Sequence, residues 1–303
     1  MRLALGAATM TIAPFAYDSV RCLSALAALS LALALPAVAH ARVYGERHIT
    51  TNTNLTDDQF GSIIIDADHV ELNCQGHQIH ISSYTRPNCL VGGKCGIFLA
   101  HHSQVNIFNC NIVGEFDAGI DAYDSEYANL FGNSVTVGSG IGILVHESSN
   151  LIAQRTTVSS RGYGLFVDVS DGTTFDGLVI DGANVGIEAD HSYGSDFEHL
   201  NVTNSFQGLV TRDGYGELLE ESAFENNESA LLFIDTQKIW VVHNTVSDSV
   251  SDGLSLTNVD GADIRENTIT TSGSCDATMR SSANTTWELN TFTHICGDVP
   301  SRH

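Results

Sequence analysis

Basic residues are scarce in this chain. Thirteen lysines and arginines stand against 36 aspartates and glutamates in 303 residues, for a formal net charge of −23. A surface of that sign repels phosphate backbones and anionic lipid heads, so nucleic acid and membrane surfaces are disfavoured as partners. It stays compatible with neutral glycans, cationic partners or divalent cations, and it also keeps a β-rich surface soluble. Helical periodicity is missing as well, and no segment beyond residue 41 is apolar enough for a membrane span. The six cysteines after residue 41 come without a C-x-x-C pair or a His-x-x-x-His spacing, which favours structural disulfides over a zinc-type site. Several connectivities are open. Cys89 and Cys95 bracket a short insert, Cys275 and Cys296 lie about one repeat apart, and Cys74 and Cys110 fall on similar arcs of successive repeats.

The chain does have a period. Residues 96–275 repeat every 22 or 23 residues, beginning GIFLAHHSQVNIFNCNIVGEFDA, GIDAYDSEYANLFGNSVTVGSGI and GILVHESSNLIAQRTTVSSRGY. Fixed-period self-similarity marks a solenoid whose units bury their apolar faces against one another. Apolar residues alternate after each glycine, as in Ile97 and Leu99, Ile120 and Ala122, Ile143 and Val145. Period-two alternation is the mark of half-buried strands. The leucine-and-asparagine consensus of leucine-rich repeats is absent, while glycine and Asn/Asp/Ser clusters supply turns. The expected fold is all-β, a parallel β-helix of about ten coils. Residues 42–60 are expected to form an N-terminal cap, 61–295 the solenoid and 296–303 a C-terminal tail, with residues 82–94 protruding as a loop.

The glycine-led repeats resemble the right-handed parallel β-helix repeats of the pectin-lyase-like superfamily. The phrase HVELNCQGHQI (residues 69–79) resembles the first coil of its NosD-like and carbohydrate-binding members. The resemblance covers roughly residues 60–295. It implies the right-handed, single-stranded form of the fold and leaves the function open, since this superfold hosts lyases, hydrolases, epimerases and non-catalytic members.

Residues 1–41 read as a cleavable signal peptide: Arg21 precedes a leucine-and-alanine-rich run, and Ala39-His40-Ala41 fits the small-x-small cleavage pattern. Translation starts at Met1 or Met10. The expectation is a secreted or periplasmic monomer with a polysaccharide or oligosaccharide partner.

One repeat position gives Asn244, Asn267 and Asn290, an amide ladder that satisfies turn backbone. Another carries chemistry. With the leading glycine at zero, positions 1 and 3 point inward and positions 2 and 4 outward. Position 4 includes Tyr123, His146, Asp168, Asp190 and Arg212. Position 5 includes His101, Asp124, Glu147, His191 and Asp213, and position 2 adds Asp121 and Glu188. Parallel strands lie about 4.8 Å apart, so Asp168 and Asp190 fall within the range of paired glycosidase carboxylates. The candidate catalytic residues are Asp168, Asp190, His146, His191 and Asp213. Tyr123, Asp124, Glu147 and Arg212 are the candidate substrate contacts, Arg212 toward a carboxylate and Tyr123 as a stacking ring or proton donor. Of His101 and His102, strand alternation lets only one join the strip.

This Tyr, His, Asp and Arg set is similar in kind to the outward strip of uronate lyases and mannuronan epimerases in the superfamily. The aspartate-proline-histidine-aspartate phrase of the epimerases is absent, as are the paired-aspartate and RxK-like phrases of polygalacturonases and pectate lyases. No metal ligands are assigned, and Ca²⁺ is the cofactor the carboxylates would suit. The expected function is binding of an extracellular polysaccharide along the strip, extending to hydrolase, lyase or epimerase chemistry. The alternatives are a periplasmic accessory or metal-handling protein of NosD-like type, with copper at His101, His102, His146 and His191, and a non-catalytic structural surface protein.

Overall fold

The computed structural model describes residues 43–80, 89 and 92–300. The signal-peptide expectation and most of the 82–94 insert lie outside them. Among the described residues the strands form three parallel sheets of 12, 12 and 11 members, with no helix. The chain visits the three sheets in turn, once per coil, for about eleven turns. This agrees with the expected count of about ten, and the earliest coils, which do not keep the period, add to it: strands Arg47–Ile49 and Ile63–Ile65 already belong to the sheet that Cys95–Ala100 continues. Residues 42–60, expected as a cap, thus supply the first strand of every sheet, beginning with Val43–Tyr44. At the other end Ile295–Gly297 is still paired to Ala277–Arg280.

The first sheet holds the strands that begin near the repeat glycine, among them Cys95–Ala100, Ala118–Tyr123, Ile141–His146, Tyr163–Asp168, Val185–Asp190 and Gln207–Arg212. Their register follows the sequence repeat: Tyr123 pairs with His146, His146 with Asp168, Asp168 with Asp190 and Asp190 with Arg212. Position 1 forms a fully buried column of Ile97, Ile120, Ile143, Leu165, Ile187 and Leu209. In the second sheet Phe175 and Phe197 stack with centroids 5.4 Å apart. Both rings are fully buried in the core.

The glycine itself is set by space. A Cβ on Gly164 would stand 2.4 Å from Cγ2 of Ile180 and 2.5 Å from the carbonyl of Gly186 on the next rung. A side chain at Gly164 would point at a core residue, so only hydrogen fits there.

Three disulfides join Cys74 to Cys110, Cys89 to Cys95 and Cys275 to Cys296. The amide ladder forms as expected: Asn244 Nδ2 donates to Asn267 Oδ1 at 3.1 Å, and Asn267 Nδ2 to Asn290 Oδ1 at 3.0 Å. The C-terminal turn is tied to Asp276, whose Oδ2 accepts from the Thr293 amide and hydroxyl, each at 2.6 Å. Burial raises this carboxyl, but those hydrogen bonds and that from His294 outweigh it and hold it below the ordinary aspartate range.

Candidate functional site

From Cys95–Ala100 to Ala277–Arg280, each strand of the first sheet is followed by a residue with left-handed backbone. His101, Asp124, Glu147, Val169, His191 and Asp213 all have φ between 44° and 59°. This kink turns the chain toward the second sheet and stops the in–out alternation. Position 5 therefore projects beside position 4, and the two columns form one strip. At the N-terminal end, His101 and His102 both line a depression of about 210 Å³ with Asp68 and Asp124, His102 Nδ1 lying 3.1 Å from Asp68.

Within the strip the expected residues come together as imidazole–carboxylate pairs. His146 Nδ1 lies 2.7 Å from Asp168 Oδ2, and its Nε2 lies 3.4 Å from Glu147. His191 Nδ1 lies 2.9 Å from Asp190, with Nε2 3.9 Å from Asp213. Tyr123 stacks on the His146 ring at 5.6 Å. A hydrogen bond to Glu147, and then that carboxylate's charge, raise its hydroxyl above the ordinary tyrosine value. Tyr123 is therefore a neutral proton donor at pH 7. Asp124 pairs with His101 at 2.7 Å, toward the N-terminal end of the strip. Arg212 is reached by Glu188, Nε to Oε1 3.2 Å, so one edge of the guanidinium is taken and its terminal nitrogens are left for a ligand.

Two position-2 acids differ. Glu188 reaches the strip through Arg212, whereas Asp121 is fully buried between Phe98 and Leu144 on the flanking rungs, with the Cys95 Sγ 3.5 Å away. Asp121 does not contribute to the exposed strip.

Tyr193 and Tyr215 were not expected. They pair on successive rungs just past the kink, both exposed, and the Lys238 ammonium lies 4.9 Å over the Tyr215 ring. They begin two residues after His191 and Asp213, so aromatic faces border the charged strip. The sequence signal was their 22-residue spacing at a position where other repeats carry serine, glutamate, aspartate, glutamine or alanine.

Glu217 is a further omission. It is buried beneath the turn that carries Asp213, in the space left by Gly214, where a Cβ would come within 2.5 Å of its carboxyl. Burial pushes it up to about 8, against a smaller downward pull from Thr211. It is a structural acid under the strip and holds its proton at neutral pH.

A family model described as a right-handed beta helix region matches residues 41–180, 123–269 and 185–298. Comparison with curated protein sequences finds no match. Among solved structures, the A-module of a mannuronan C-5 epimerase from Azotobacter vinelandii is 9% identical with a TM-score of 0.53, covering 87% of this chain and 92% of that one. DFA-IIIase of Arthrobacter chlorophenolicus A6, without its lid, is 13% identical with a TM-score of 0.55, covering 80% and 72%. The surface adhesin PfbA of Streptococcus pneumoniae is 10% identical with a TM-score of 0.51, covering 86% and 85%. At such identities the likeness is one of fold.

Proposed function

The chain belongs to the right-handed β-helix family, and from that premise we propose that it binds an extracellular polysaccharide along the outward strip of its first sheet and acts on it by proton transfer. The carrying observation is the column Tyr123, His146, Asp168, Asp190 and Arg212 on five consecutive rungs. A repeating ladder of polar groups suits a repeating polymer, and the bordering Tyr193 and Tyr215 rings suit the apolar faces of sugars.

The chemistry follows from the pairing. Asp168 orients the His146 imidazole, as a carboxylate orients a general base, and the Tyr123 hydroxyl beside it is a neutral acid. Asp168 and Asp190 are each engaged by an imidazole, which supports lyase- or epimerase-type proton transfer over hydrolysis by two bare carboxylates. The terminal nitrogens of Arg212 would meet a substrate carboxylate, countering the repulsion of the acidic surface. The mannuronan epimerase and the adhesin share the fold and are in keeping with a carbohydrate partner. Three disulfides support an oxidising compartment outside the cytoplasm.

A glycan array probed with the wild type and with Asp168→Asn/Asp190→Asn tests this reading. Selective binding or turnover that the double variant loses supports it. Absence of both on every glycan, from a protein shown to be folded, removes it.

A further inference from the structure

The strip has a counterpart eight residues further along the same coils. Asp168, Asp190, His191 and Asp213 surround the first corner, and Asp176, Glu198, His199 and Glu221 occupy the corresponding places where the second sheet ends. His199, like His191, has left-handed backbone, with φ 50°. The two corners differ in commitment. At the first, Asp168 is given to His146. At the second, the groups converge on one imidazole: His199 Nδ1 lies 2.9 Å from Asp176 Oδ1, and Nε2 lies 2.9 Å from Glu221 Oε2.

We propose that Asp176, Glu198 and His199 form a binding site for a divalent transition-metal ion, separate from the glycan strip and independent of that reading. One ligand atom from each can be chosen so that all lie within 4.8 Å of one another. The 2.9 Å between Nδ1 and Asp176 Oδ1 is about the edge of an octahedral coordination sphere with bonds of about 2.0–2.2 Å. Glu221 then holds the other ring nitrogen and fixes the tautomer, the usual outer partner of a ligating histidine. On binding, the proton on Nδ1 leaves to solvent and the metal takes its place.

Electrostatics favours a cation here. Asp176, Glu198 and Glu220 stack on successive rungs, with Asp196 on the same face. The arginine on the rung below Gly177, Arg155, is engaged over the Phe131 ring. Gly177 occupies the kink position one rung below His199, so no side chain crowds Asp176 from that place. One imidazole among carboxylates suits Zn²⁺ or Mn²⁺, whereas Ca²⁺ prefers oxygen throughout.

The test is titration calorimetry of the chelator-treated full chain with Zn²⁺ alone and Mn²⁺ alone, beside metal analysis after dialysis. The expected result is about one equivalent bound, weakened at least about tenfold by His199→Ala and by Glu198→Gln. His191→Ala should leave that equivalent in place. Thermal melts confirm folding, and the half-exposed Glu198→Gln decides the matter should His199→Ala misfold. Binding of neither ion overturns the proposal, as does an equivalent that survives Glu198→Gln and His199→Ala or is lost with His191→Ala.

Discussion

Val169 carries a β-branched side chain at φ 48° and is exposed, in a column where other coils place Asp124, Asp213 or Asn258. Left-handed backbone costs an ordinary L-residue roughly 1–2 kcal/mol, and asparagine less. Val169→Asn should therefore stabilise the fold by about 1 kcal/mol in urea unfolding. Glu217 makes a second residue-level prediction. Its folded pKa of about 8 lies above the ordinary 4.5, so the folded state binds its proton more tightly than the unfolded one. That contribution is complete below about pH 4.5, declines by about 1.4 kcal/mol per pH unit above it, and is exhausted past about pH 8. His199 and His243, raised by hydrogen bonds to Asp176 and to Glu266 respectively, lose stability in the same direction as pH rises. Denaturant melts across this range should show Glu217→Gln with a flatter profile than the wild type. An unchanged slope would mean that Glu217 is solvated or paired.

At the scale of elements, the rung is the unit of both stability and legibility. Gly164→Ala forces a Cβ against Ile180 and the Gly186 carbonyl, and should cost about 1–3 kcal/mol by overpacking. Asn267→Ala removes the donor to the Val241 carbonyl and the acceptor for the Asn244 amide, both buried, at about 2–3 kcal/mol. Equilibrium unfolding checks both. The strip was readable because register equals period: counting from each glycine placed Tyr123, His146, Asp168, Asp190 and Arg212 on one column. The kinks were not readable, because left-handed backbone at His101 or Val169 has no composition signal when the row mixes His, Asp, Glu and Val. The position-5 residues were still found by counting, but the Tyr193–Tyr215 border and the second corner at His199, which lie past the kinks, were missed. Asp121 was misplaced for another reason, since alternation gives direction and not depth.

Over the whole molecule, the period pointed to a β-helix of about ten coils, and the strands up to Ile63–Ile65, which keep no regular spacing, bring it to about eleven. The strip from Tyr123 to Arg212 spans four rung intervals, about 19 Å at about 4.8 Å each. A linear glycan laid along it should gain affinity with each added sugar until that length is filled, then level off. The most direct measurement is the dissociation constant of an oligosaccharide series, drawn from the glycan-array hits, against the wild type, Tyr123→Ala, Arg212→Ala and Trp240→Ala on the second sheet. The expected result is a length-dependent rise that saturates, about tenfold or greater weakening by the Tyr123 and Arg212 variants, and no effect at Trp240. Affinity that is independent of length, or that falls with Trp240→Ala and not with the strip variants, would contradict it.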